Sequence, residues 1–158
     1  MAIQRLVATL ALGLLLGAPG MAEVQFTTVD VPGATRTAVN GNSTNQVVGE
    51  YDDADGNTHG FVLSGGTFTT IDVPGAWFTT VNGINANGEM LGMYRDDPAN
   101  PSHRHGFILR KGVFTTIEVP DAVLTSAIGL NDTGDIAAST SATRISTSTV
   151  SCWPTAST

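Results

Sequence analysis

Histidine and acidic residues are the side chains of this sequence whose type and spacing could do chemistry. His59 and His105 begin two similar segments, His-Gly-Phe-Val-Leu and His-Gly-Phe-Ile-Leu, which favours a structural imidazole in each. His103 stands two residues before His105, so the pair would share one strand face. Together with Asp96 and Asp97 they suggest a Zn²⁺ or Cu²⁺ site, but no further ligand is fixed by spacing. We expect no metal here, and keep Asp96, Asp97 and His103 as candidates for ligand binding.

An acidic stretch suggests a calcium loop as a second chemistry. Residues 52–57, Asp-Asp-Ala-Asp-Gly-Asn, offer the hard oxygen ligands that Ca²⁺ requires. An EF-hand frame that begins at Asp53 would need Gly at its sixth position and Glu at its twelfth, where Thr58 and Ser64 stand. A solvated type I′ hairpin turn at Asp55-Gly56 is therefore the preferred interpretation.

Three carboxylates precede a Val-Pro step: Asp30, Asp72 and Glu118. Such groups could pair for acid–base work, as they do in glycosidases. A specialised general acid, however, needs an environment unlike that of its neighbour, and a repeated position does not provide one. No Gly-x-Ser-x-Gly elbow or phosphate-binding loop occurs in the sequence. We therefore expect no catalytic residue and no cofactor.

Aromatic residues could line a surface that binds carbohydrate, because their rings stack on sugar faces. Tyr51 and Tyr94 occupy equivalent places in two similar segments, which favours a packing role. Trp77 and Phe78 follow Pro74-Gly75 and have no counterpart elsewhere in the chain. We expect them in a surface loop, as the better candidates for ligand binding.

These candidates lie within a tandem repeat. The segment Phe-Thr-Thr-Val-Asp-Val-Pro-Gly-Ala begins at Phe26. A close copy begins 42 residues later at Phe68, and another begins 46 residues after that at Phe114. Its β-branched residues and terminal Pro predict strands, while Asn45 and Gly88 predict tight turns that need a positive φ. We expect an all-β fold of tandem antiparallel β-sheet repeats of 42–46 residues, with about two and a half units that resemble part of a β-propeller.

The recurring motifs resemble those of the extracellular repeat proteins called the HAF family. The family is named for a His-Ala-Phe-like signature, which reads His59-Gly60-Phe61 and His105-Gly106-Phe107 in this chain. The resemblance covers residues 26–136 and implies a secreted bacterial β-repeat protein, of propeller type, with no established activity. A closed propeller has about 4–8 blades, so the chain would be part of an assembly, a truncated protein, or a small sandwich.

The two ends of the chain differ from the repeat region at residues 23–136. Residues 1–22 have one basic residue, a short apolar run and the small residues of Gly20-Met21-Ala22, which together predict a signal peptide that is removed after Ala22. Residues 137–158 lose the repeat pattern, and 12 of these 22 residues are Ser or Thr. We predict a disordered or frame-shifted tail, and the nucleotide sequence of the gene would distinguish a shifted frame from a native linker.

Composition limits the partners and leaves the specific function open. A net charge of −7 and a pI near 4.6 argue against binding to nucleic acid or to an anionic membrane. Cys152 is the single cysteine, so no internal disulfide can form. We expect an exported, non-catalytic protein, periplasmic or extracellular, with a binding or surface-structural role. Its expected partners are carbohydrate, a surface protein, further blades or a second copy of the chain. The alternatives are a carbohydrate-active propeller enzyme and a truncated remnant without independent function.

Overall fold

The computed structural model describes residues 26–120 and 122–142, together with the strand at 145–153. These residues form strands and no helix, so the prediction of an all-β fold is confirmed. The strands are β1 (Arg36–Ser43), β2 (Gln46–Asp52), β3 (Thr58–Ser64), β4 (Thr67–Ile71), β5 (Phe78–Ile84), β6 (Met90–Arg95), β7 (His105–Arg110), β8 (Val113–Ile117), β9 (Ala122–Leu130), β10 (Ile136–Ala142) and β11 (Ile145–Trp153). The signal peptide predicted for residues 1–22 lies outside the described residues.

The strands follow one another in antiparallel meanders. β1 to β4 pair in sequence order, and β5 to β8 repeat this order. β9, β10 and β11 form a third meander of three strands. We call these meanders units 1, 2 and 3. Parallel bridges, Thr58 with Phe78 and Arg104 with Leu124, link each unit to the next, and the described strands do not close into a ring. The propeller-like arrangement therefore remains a prediction.

The hairpin turns follow the positions of glycine. Residues 65–66 (Gly-Gly) and 111–112 (Lys-Gly) all have positive φ, as the two central residues of a type I′ turn require. At Asp55-Gly56 only Gly56 has a positive φ, of 86°, so the type I′ turn predicted there is wrong. The longer loop is closed by Asp53, whose Oδ1 accepts hydrogen bonds from the amides of Asp55 and Asn57 at 2.9 Å. This Asx-type turn replaces the predicted backbone turn.

The same turn precedes the first strand of every unit. The Ala amide of each Val-Pro-x-Ala segment donates to the Val carbonyl three residues earlier, at 3.1 Å in 31–34, 3.0 Å in 73–76 and 3.1 Å in 119–122. The Val amide in turn donates to a Thr hydroxyl six residues later in all three copies. Because both contacts recur, the chain leaves one unit and enters the next with the same local geometry.

Consecutive units pack through the first strand of the later unit. β5 contacts β1, β2 and β3, and β9 contacts β5, β6 and β7. Asn40 Nδ2 donates to the Val81 carbonyl at 3.1 Å, and Asn82 Nδ2 donates to the Ala127 carbonyl at 2.8 Å, so the equivalent asparagine joins units 1 and 2 and units 2 and 3. Phe61 of unit 1 and its unit 2 counterpart, Phe107, are the largest fully buried side chains among the described residues.

The first and last segments of the repeat depart from this pattern. Phe68 and Phe114 lie in β4 and β8, whereas residues 26–35 form no strand and Phe26 is 89% exposed. β4 and β8 pair with the preceding β3 and β7, and the described residues include no such strand before Phe26. At the other end β11 and all but the first residue of β10 fall within residues 137–158, and the disordered or frame-shifted origin of that tail stays a prediction.

Candidate functional site

The histidine of unit 1 is held between two carboxylates. His59 Nδ1 lies 2.8 Å from Asp72 Oδ2, His59 Nε2 lies 3.1 Å from Asp53 Oδ2, and the ring stacks on Tyr51 with centroids 5.1 Å apart. Burial works against the charged imidazole, but its hydrogen bonds to Asp53 and Asp72 outweigh this effect and raise the pKa of His59. A doubly protonated His59 can donate to both carboxylates, so it ties the β2–β3 loop to the end of β4.

Unit 2 repeats this arrangement. His105 Nδ1 contacts Glu118 Oε1, His105 Nε2 lies 3.3 Å from Asp96 Oδ1, and the ring stacks on Tyr94 with centroids 5.0 Å apart. Two units with the same imidazole between the same pair of carboxylates indicate a structural clamp. Asp30, the third carboxylate of the series, has no preceding His-Gly-Phe segment in the chain.

The acidic residues at 52–57 are bound by the protein itself. Asp52 accepts a hydrogen bond from Arg36 Nε at 2.7 Å and one from the Thr58 hydroxyl at 2.8 Å. Hydrogen bonds from Asn57 and then from His59 lower the pKa of Asp53 far below its usual range. The carboxylates therefore stabilise the hairpin loop and its contact with β3.

The candidate residues Asp96, Asp97 and His103 all lie in the loop between β6 and β7, but they make different contacts. Asp97 closes its own turn, because its Oδ1 accepts from the Ala99 amide and its Oδ2 from Asn100 Nδ2, each at 2.8 Å. These hydrogen bonds, that of Asn100 first, lower the pKa of Asp97. His103 lies edge-on to His105 with ring centroids 4.5 Å apart. The structure thus brings His103 and Asp96 together around His105 and leaves Asp97 apart.

Trp77 and Phe78 lie next to an arginine that sequence reasoning missed. Phe78 is the first residue of β5 rather than part of a loop, and its ring is 6.0 Å from that of Trp77. The Arg95 guanidinium lies over both rings, with its Cζ 4.4 Å from the Phe78 centroid and 5.6 Å from the Trp77 centroid. Burial, and then the charge of Arg104, lower the pKa of Arg95. The first unit has Asp52 at the position equivalent to Arg95, so Arg95 belongs to no repeated motif. Its proximity to the aromatic rings follows from the pairing of Arg95 with Phe78 on the neighbouring strand.

A cleft of about 320 Å³ opens beside this group. Its lining comes from both sides of the junction between units 2 and 3: His103, Arg104, His105, Glu118, Val119, Pro120, Ala122 and Thr125. Unit 1 has Asn57 and Thr58 where unit 2 has His103 and Arg104, so the basic lining is specific to unit 2. Within residues 26–120 and 122–142, neither Arg95 nor Arg104 forms a salt bridge.

The described part of the chain contains no group of three or more His, Cys, Asp or Glu residues arranged to hold a metal ion. It also contains no helix long and apolar enough to cross a bilayer. No family model, no curated protein and no solved structure matches the chain. The geometry of the candidate site is a cleft lined by two imidazoles, Arg104 and one carboxylate, with Arg95 and two aromatic rings beside it.

Proposed function

We propose that this chain is an exported, non-catalytic β-repeat protein of the HAF type that binds an acidic saccharide outside the cell. The observation that carries the proposal is a pair of partly buried arginines: Arg104, which lines the cleft between units 2 and 3, and Arg95 beside it. In a chain of net charge −7, two neighbouring guanidinium groups without a carboxylate partner among the described residues would repel each other. An anionic ligand relieves that repulsion.

The ligand class follows from the groups around the arginines. The Arg95 Cζ lies 4.4 Å from the Phe78 ring centroid, and its Nε is buried without a hydrogen-bond partner among the described residues. A guanidinium binds a carboxylate through two hydrogen bonds, so a carboxylate ligand would suit it. Trp77 adds an apolar ring face of the kind that stacks on a sugar. A uronic acid combines a carboxylate with such a sugar face, and it suits this combination better than a simple inorganic anion does.

We propose a non-catalytic protein because the carboxylates that could act as acid and base are already bound to histidines. Asp72 and Glu118 each contact the imidazole of a repeated clamp, so neither is placed differently from the other, as an acid and a base must be. A carbohydrate-active enzyme is the second candidate, because Asp96, His103 and Glu118 all surround His105 at the cleft. Both candidates bind the same class of ligand, and turnover distinguishes them.

Calorimetric titration with uronic acid oligosaccharides tests the proposal. We expect binding that weakens with added salt, no binding of neutral glucose oligomers, and at least a tenfold loss of affinity in the double variant Arg95→Gln/Arg104→Gln. Lys111→Gln is the control for the loss of positive charge, because it removes one such charge from the exposed β7–β8 turn, against two in the double variant. Equal affinity of the double variant, or no binding of any uronate, would refute the site. Release of shorter or unsaturated sugars during the titration would favour the enzyme.

A further inference from the structure

The outer face of unit 1 is a packing surface without its partner. Val81 and Ala127 occupy the same position in β5 and β9, and both are fully buried against the preceding unit. Val81 Cγ2 lies only 2.8 Å from where a Cβ would stand on Gly60, so it fills the space above the glycine of the previous His-Gly-Phe segment. The equivalent residue of β1, Val39, is 51% exposed. Unit 1 therefore presents the surface that units 2 and 3 bury, and within the described part of the chain no unit covers it.

The segment before β1 has also lost its partner. Residues 26–31, Phe-Thr-Thr-Val-Asp-Val, match β4 and β8 in sequence and in the turn that follows them. β4 and β8 each pair with the third strand of their unit, and the residue after each of them gives a carboxylate to the histidine of that strand. Phe26, in contrast, is 89% exposed, and no residue of 26–35 belongs to a strand. These residues therefore have the sequence of a fourth strand, and they pair with no sheet among the residues that the structure describes.

Unit 3, at the other end of the row of units, has one strand fewer than units 1 and 2 among the described residues. Unit 3 has the strands β9, β10 and β11 and no fourth strand among the described residues. Ile128 occupies the position of Asn40 and Asn82, which donate to the next unit, and it is 50% exposed. The eleven strands and the 26–31 segment together make twelve, which is three units of four.

We propose that two copies of this chain associate head to tail, so that unit 1 of each packs on unit 3 of the other. The 26–31 segment of one copy then pairs with β11 of the second copy, as β4 pairs with β3 and β8 with β7. Two such contacts related by a two-fold axis close the ring, so that no end is left open. Two copies of three units make six, within the range of about 4–8 blades in closed propellers.

The repeat defines the register of the donated strand. Thr115 pairs with Ile108 in unit 2, and the same alignment in unit 3 places residue 27 of one copy opposite residue 152 of the other. Directly opposed Cα atoms of antiparallel strands lie about 4.5–5.5 Å apart, which a disulfide can bridge. Thr27→Cys should therefore join to Cys152 of the second copy, whereas Thr28→Cys, one residue further along, should not.

Sedimentation equilibrium and oxidative crosslinking of the full chain test this arrangement. We expect a particle of twice the chain mass, at least a hundredfold weaker association in Val39→Asp, and less than a threefold change in Val113→Asp, which adds the same charge at an exposed position (64%) on β8. Circular dichroism should show that both variants keep the strand content of the parent. With oxidised glutathione, Thr27→Cys should give a covalent dimer that disappears when Cys152→Ser is added.

Three results would overturn the proposal. The first is a monomer at every concentration, and the second is a dimer of unchanged affinity in Val39→Asp. The third is a dimer that is sensitive to Val39→Asp but forms no 27–152 crosslink, which would indicate that the two unit 1 faces pack against each other instead. The proposal is independent of ligand binding, so failure of the uronate experiment leaves these measurements informative.

Discussion

The glycine of each His-Gly-Phe segment lies where the next unit approaches most closely, and the two copies differ in how closely. A Cβ on Gly60 would stand 2.7 Å from the Ile71 carbonyl oxygen and 2.8 Å from Val81 Cγ2. A Cβ on Gly106 would stand 3.2 Å from the Ile117 carbonyl oxygen and 3.3 Å from its Cβ. The same substitution, Gly to Ala, should therefore be much more costly in unit 1 than in unit 2.

The magnitude follows from two opposing effects. Overpacking a well-packed interior costs about 1–3 kcal/mol, and contacts well under 3.0 Å with a backbone oxygen belong to that class. Replacing Gly by Ala also restricts the unfolded chain, which stabilises the protein by about 0.4–1 kcal/mol. We expect Gly60→Ala to lower the free energy of unfolding by about 1–2 kcal/mol. Gly106→Ala needs a shift of only a few tenths of an ångström and should stay within about 0.5 kcal/mol of the parent.

Urea denaturation followed by tryptophan fluorescence and circular dichroism measures both changes, with coincident transitions as the check on two-state behaviour. Gly129→Ala is a control for the substitution itself, because its nearest contact is the Ala137 Cβ at an ordinary 3.4 Å. If Gly106→Ala is as destabilising as Gly60→Ala, or if Gly60→Ala is neutral, the close packing of β5 on β3 is not what requires this glycine.

Three further perturbations test the core, the clamp and the unit junction. Phe61→Ala should cost about 3–5 kcal/mol, and Phe107→Ala a similar amount, because both rings are fully buried; a loss below 1 kcal/mol in urea denaturation would contradict this. His59→Gln should cost about 0.5–1 kcal/mol at pH 5, after solvent screening, and less at pH 8. The pKa of His59 is raised above its ordinary 6.5, so its contribution is complete below pH 6.5 and is lost as the pH rises; a loss that grows with pH would show the opposite sign. Asn82→Ala removes the 2.8 Å bond to the Ala127 carbonyl and should cost about 1 kcal/mol, whereas an unchanged thermal midpoint would show that this bond does not hold units 2 and 3 together.

Much of the local structure could be predicted because it depends on single residues. Asn45 and Gly88 were expected to adopt a positive φ, and they have φ values of 60° and 76°. β4 and β8 end two residues before the Val-Pro steps at 73–74 and 119–120, as expected because proline cannot donate to a sheet. At Asp55 the same reasoning failed, because the Asp53 side chain closes the loop through amide hydrogen bonds and removes the need for a tight turn.

The candidate site was less predictable, since its contacts join residues that are distant in sequence. His59 and Asp72 were both recognisable as repeated positions, but only the pairing of β3 with β4 shows that they contact each other. Arg95 carried no signal at all, because it occurs once and gains its importance from Phe78 on the neighbouring strand. Residues that break a repeat are the ones to examine, and distance in space then decides which of them act together.

The shared joint between units has a consequence for how such a gene can change. The Val-Pro-x-Ala turns at 31–34, 73–76 and 119–122 have the same closing hydrogen bond to within 0.1 Å. Recombination between any two of these turns would add or delete one whole module and preserve the backbone path on both sides of the crossover. Relatives of this chain should therefore vary in length by whole modules of about 42–46 residues, with the crossover points at this turn.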